Sequence, residues 1–68
     1  MTLYTIKTYN LSGKLLENKT QYTDDFMSIV RTYKKSLLPG MITLIIDWHT
    51  KNVVCRVYKN GYEMTESR

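Results

Sequence analysis

Asp47, His49 and Cys55 are the only set of residues whose types suggest catalysis. A carboxylate two residues from an imidazole, with a thiol downstream, could supply an orienting group, a base and a nucleophile if all three converged in a supported pocket. Their spacing argues against that use. Asp47 and His49 share a side only if a strand runs through both, whereas Asp47 to Asn52 reads as a hairpin loop that holds His49. Cys55 falls at an inward position of the next strand, where a thiol serves as a small apolar side chain. One His and one Cys are too few for a zinc site, and a lone Cys has no internal disulfide partner. A chain of 68 residues also has little left to wall a substrate pocket of about 300 Å³ once a core is built. The inventory points away from an enzyme, expects no cofactor and no metal, and leaves binding.

Residues suited to binding are more numerous. Ten lysines and arginines against six acids give a net charge of +4, which favours acidic partners, either nucleic acid or an acidic protein surface. The cations are scattered through Lys7, Lys14, Lys19, Lys51, Arg56, Lys59 and Arg68, with Arg31, Lys34 and Lys35 grouped in the middle of the chain. No basic run or helix-turn-helix pair is present, so specific duplex recognition is not expected. Trp48 is a candidate anchor, since tryptophan is over-represented among residues that dominate interface energetics; its other reading is a core residue.

These residues must be positioned by elements that the pattern marks out. Thr2 to Tyr9 alternates as a strand, with Tyr4, Ile6 and Thr8 on one side and Leu3, Thr5, Lys7 and Tyr9 on the other. Asn10-Leu11-Ser12-Gly13 supplies a turn, and Lys14 to Gln21 returns as a polar strand suited to a sheet edge. A helix is expected from Thr23 as its cap, with Asp24 and Asp25 at the positive end of its dipole and Tyr22 stapled to Met27. Phe26, Ile29, Val30, Tyr33 and Leu37 make one apolar stripe at helical period, and Pro39-Gly40 stops it. Met41 to Trp48 reads as a central strand with Ile42, Leu44, Ile46 and Trp48 on one face, and Val53 to Tyr58 as a fourth strand. After the Asn60-Gly61 turn, residues 62–68 are either a short extra strand or a frayed tail.

The expected architecture is therefore one α+β domain over residues 1–68, a small antiparallel sheet in the order β-β-α-β-β with the single helix packed on one face. One helix leaves the other face open. Alternation assigns Leu3, Thr5, Tyr9, Thr43, Ile45, Val54 and Tyr58 to it, with Lys7 and Arg56, a mixture typical of an interface; the competing reading is that the C-terminal tail covers part of this face. A second candidate surface is the helix flank, where Arg31, Lys34 and Lys35 lie beside Met27 and Leu38; the competing reading is that the charges serve the dipole and Met27 the staple. Single-stranded RNA on the open face, with Tyr9 and Tyr58 stacking and Lys7 and Arg56 on phosphates, is an alternative occupant, and a homodimer through that face is another. The start Met1-Thr2-Leu3-Tyr4-Thr5 has no signal-peptide character and no stretch reaches about 18 apolar residues, so a cytoplasmic protein is expected, in a host cell if viral, with no membrane contact.

The order of elements, together with Ile46-Asp47 through Lys51, Val54-Cys55-Arg56-Val57 and Gly61, resembles the phage discriminator of mRNA degradation. Members of that family are similarly short, single-helix α+β proteins with a comparable Ile-Asp, Lys, Val-Cys-x-Val and Gly series. The hairpin here differs by an insertion around Trp48 and His49. The resemblance implies an antitoxin that binds a host toxin ribonuclease and blocks it, and it carries over no functional residue.

Overall fold

The alternation of the first segment becomes strand β1, Thr2–Tyr9, and Asn10 makes the turn that follows. Its side-chain carbonyl Oδ1 accepts from the backbone amides of Ser12 and Lys14 at 3.0 and 2.9 Å, and Gly13 takes a φ of +88°. Strand β2, Leu15–Thr23, returns antiparallel along β1. Helix α1, Phe26–Ser36, then leads to β3, Ile42–Asp47, and the hairpins to β4, Val53–Tyr58, and β5, Gly61–Met64. A computed structural model describes residues 1–65; the end of the expected tail, residues 66–68, lies outside the described residues.

The strands form one sheet in the order β2-β1-β3-β4-β5, every neighbouring pair antiparallel. The fold is α+β, with β5 added to the four strands that the pattern marks most clearly. Because β1 lies between them, β2 and β3 run parallel, and α1 is the crossover that carries the chain from the β2 edge to β3. A crossover must pass over one face, which is why the helix covers one side of the sheet.

The core lies between α1 and that face. Ile29, Val30, Tyr33 and Leu37 of the predicted stripe are buried against Ile6, Ile45, Cys55 and Val57, with Phe26, Met27, Tyr4 and Met41 packed around them. Each fully buried aliphatic side chain contributes roughly 1.5–3 kcal/mol. Two threonines join this core, Thr8 and Thr43, whose hydroxyls meet at 2.8 Å.

Three local expectations are corrected. Thr43 and Ile45 do not lie on the open face. Pairing Ile6 with Ile45 and Thr8 with Thr43 turns both toward the helix, so that Ile42, Leu44 and Ile46 face away. The helix starts two residues later than a Thr23 cap implies, with Asp25 at the cap position and no side-chain cap bond, because Thr23 Oγ1 accepts from the Asp25 amide at 2.9 Å in a turn of its own. Tyr22 cannot staple Met27, since it pairs with Leu3 and stands on the far side of the sheet. The start of the helix is held instead by Tyr4 and Phe26, ring centroids 5.5 Å apart. No helix among the described residues is long and apolar enough to cross a membrane.

Candidate binding surfaces

The face away from the helix is built in cross-strand rows. Tyr9, Ile42 and Tyr58 form one, and Lys7, Leu44 and Arg56 the next. Thr5, Ile46 and Val53 follow, the last reached through a bulge that sets Val53 and Val54 against a single residue of β3. Leu3 and Tyr22 end the face, and Leu15 extends the first row opposite Tyr9. Most of these side chains are half-buried by one another, while Leu15, Tyr22 and Tyr58 are exposed. The result is an aliphatic centre on β3, ringed by tyrosines and crossed by two cations. Arg56 reaches Glu63 of β5 at 3.8 Å, both side chains well exposed, so the pair is weak and Arg56 stays available to a partner.

The predicted helix flank divides in two. Met27 is half-buried and belongs to the core wall. Arg31, Lys34 and Lys35 are exposed and line a groove of about 600 Å³ with Ser28 and Thr32 of the same helix and Lys59 of the β4–β5 turn. Leu38 is exposed and is not part of that lining. Lys59 was not predicted here, because nothing local in Tyr58-Lys59-Asn60-Gly61 reveals that the hairpin tip lies beside the helix.

Trp48 does not continue the β3 face. The strand ends at Asp47, and the loop that follows is tied by that residue: its Oδ1 accepts from the amides of His49 and Thr50 at 2.8 and 3.1 Å, and its carbonyl from the Lys51 amide at 2.8 Å. Lys51 takes a φ of +66°, which lays its Nζ over the Trp48 ring, 4.4 Å from the centroid, with the His49 ring edge-on at 5.2 Å. The Trp48 amide donates to the Leu3 carbonyl at 3.0 Å, so an indole 40% exposed is held at the end of the sheet. Trp48 is thus no part of the core.

Of the three chemistry-bearing residues, Asp47 opens this loop at the end of β3, His49 lies within it and Cys55 is on β4. The Asp47 carboxylate is occupied by backbone amides, His49 is exposed in the turn, and Cys55 is fully buried on β4. Burial pushes the Cys55 thiol up, which disfavours the thiolate that a nucleophile requires. Among the described residues, no group of three or more His, Cys, Asp and Glu side chains is placed to hold a metal.

Comparison with protein families, with curated proteins and with solved structures finds no match for this chain.

Proposed function

We propose that this chain is a non-catalytic cytoplasmic binding module that docks a protein partner on the open face of its sheet. The supporting observation is that face itself: Ile42, Leu44 and Ile46 of the central strand, with Val53, Val54, Leu3, Tyr9 and Tyr58 around them, make a contiguous apolar surface that no element among the described residues covers. Surfaces of this kind mark interfaces, and an aliphatic centre with tyrosine and arginine around it is the composition of a desolvated interface core. Trp48, whose amide is bonded to the Leu3 carbonyl at the end of the sheet, supplies an anchor at the rim.

The finer reading is that the module is an inhibitor of a host protein, an antitoxin that blocks a toxin ribonuclease. Its support is the family resemblance. The residues that carry that resemblance do structural work in this chain: Cys55 and Val57 fill the core, Asp47 ties the loop and Lys51 supplies its left-handed turn. They speak for a shared framework, so the antitoxin reading rests on the framework and not on a transferred site.

The test is capture from nuclease-treated bacterial lysate with the tagged chain, set beside a Lys7→Glu/Leu44→Lys variant and an Arg31→Glu/Lys34→Glu/Lys35→Glu variant, each checked by circular dichroism. A stoichiometric protein retained by the wild type and the helix variant, and lost by the sheet variant, is the expected result. Loss with the helix variant alone moves docking off the sheet. For the finer reading, the captured protein must be a ribonuclease that an equimolar amount of the chain inhibits. Sedimentation should give a monomer; a tight dimer would make a second copy the occupant of the face.

A further inference from the structure

We infer that the groove between α1 and the β4–β5 turn is a second binding site, one that holds the phosphate backbone of a single-stranded nucleic acid. Four cations meet there from two elements: Arg31, Lys34 and Lys35 of the helix and Lys59 of the turn. Among the described residues Arg31 has a carboxylate nearby, Asp25 at 3.4 Å, and no carboxylate lies within ion-pairing distance of Lys34, Lys35 or Lys59. The positive charge is therefore largely uncompensated, and it is concentrated where the rest of the chain's cations are dispersed.

The hydrogen-bonding character of the groove decides the class of ligand. Lysine and arginine donate and cannot accept. The two hydroxyls in the lining have already spent their protons, Ser28 Oγ on the Asp25 carbonyl at 2.7 Å and Thr32 Oγ1 on the Ser28 carbonyl at 2.9 Å. Their oxygens keep lone pairs that can accept, so the lining sets two neutral acceptors beside four cationic donors, and the cations dominate it. A phosphodiester backbone brings a regular row of negatively charged acceptors to match these four cationic donors, whereas a peptide can answer them only with acidic side chains, and the regular row is the match.

A second depression favours a single strand over a duplex. It lies at the end of the sheet, lined by Pro39, Gly40, Met41, Ile42, Tyr58, Lys59 and Asn60, and it shares Lys59 with the basic groove. A strand whose phosphates run along the helix and pass round the sheet end at Lys59 enters this depression, where the exposed Tyr58 ring, on the open face, can stack on any base. The groove itself has no aromatic or amide side chain in its lining, so the site tracks backbone and does not read sequence.

The test is fluorescence anisotropy of a labelled 12-nucleotide single-stranded RNA titrated with the full chain between 50 and 200 mM salt. With four backbone contacts the affinity should fall about 50-fold over that range, and for Lys34→Ala/Lys35→Ala/Lys59→Ala only about threefold, from the single-strand salt slope of about 0.7 per contact. Tyr58→Ala should weaken binding about fivefold or more while leaving the salt slope unchanged, since stacking releases no counterions. If the triple variant does not give a native dichroism spectrum, the single Lys59→Glu variant replaces it, with a fall in slope expected. Absence of binding at 50 mM, an unchanged slope in the lysine variant, tighter binding of the corresponding duplex, or tighter binding of a poly-glutamate of equal charge each overturns the assignment. The last of these would give the groove to an acidic protein.

Discussion

Thr8 and Thr43 sit directly opposite each other on β1 and β3, and among the described residues their hydroxyls bond to each other alone across the buried face of the sheet. Valine has nearly the shape of threonine, so Thr→Val removes the hydroxyl with little change in packing. Each single substitution strands the partner's hydroxyl, at a cost of about 1–3 kcal/mol for an unsatisfied buried group. Thr43 is fully buried and Thr8 is 5% exposed, so Thr8→Val, which strands Thr43, is the more damaging of the two. The double variant strands nothing and gains apolar burial, so it should lie within about 1 kcal/mol of the wild type. In a chain of this size each kcal/mol moves Tm by about 4–8 °C, which puts the singles roughly 5–20 °C below the wild type and the double close to it. Urea and thermal unfolding followed by far-ultraviolet dichroism measure all four corners of the cycle. The expected coupling approaches the sum of the two single costs, because the double variant strands neither hydroxyl. Additive singles, with the double worst of all, would refute the claim that this bond satisfies both groups.

Alkaline pH should destabilise the fold. Burial pushes the Tyr33 phenol above its ordinary value, and the Glu17 carboxylate that accepts its hydrogen bond at 3.2 Å acts in the same direction, outweighing the nearby Lys19 ammonium. Cys55 is raised by burial as well. For acids raised in the folded state, the unfolded chain loses protons first, so stability is complete below about pH 8.5 and falls as pH rises through about 10 and beyond. Tyr33→Phe should flatten the upper part of that fall in dichroism-monitored urea unfolding from pH 8 to 11, and an identical slope in the variant would remove Tyr33 from the account. The two loop glycines at positive φ should separate in the same assay. Gly13→Ala meets open space and should cost about 1–2 kcal/mol for the left-handed backbone alone. Gly40→Ala should cost more, because its new methyl also runs into the Leu11 side chain; equal losses would mean that Leu11 moves aside freely.

Most of the framework was legible because local signals agreed with tertiary ones. The stripe from Phe26 to Leu37, the Asn10–Gly13 turn and the polar β2 edge each come from a short-range rule, and each stands in the structure. The parity of β3 was not legible. Met41 to Ile46 is nearly all apolar, so alternation says nothing about which side faces the helix, and Thr43 reads as the outward residue. It is inward because Thr8 lies opposite and supplies the partner that makes a buried hydroxyl tolerable. The open face survives this correction and grows more apolar by it, exchanging Thr43 and Ile45 for Ile42, Leu44 and Ile46. The basic groove was half legible: the helical cations followed from spacing, while Lys59 arrives through a contact between a hairpin tip and a helix that no local pattern encodes.

The open face and the groove make opposite demands on solution conditions, and this separates them without any knowledge of the partners. A chain of 68 residues is stabilised by roughly 3–10 kcal/mol, so binding to the folded state is readily seen in Tm. A ligand at a hundred times its dissociation constant adds about 2.7 kcal/mol, which at this chain length is a rise of roughly 10–20 °C. A protein seated on Ile42, Leu44 and Ile46 gains its affinity by removing apolar surface from water, and added salt leaves that gain intact. A nucleic acid on Arg31, Lys34, Lys35 and Lys59 gains it by releasing counterions, and the rise must shrink as salt is added. A Tm rise from nucleic acid that persists at half-molar salt would mean that the groove does not carry the contact; one from protein that vanishes there would mean that the sheet face does not.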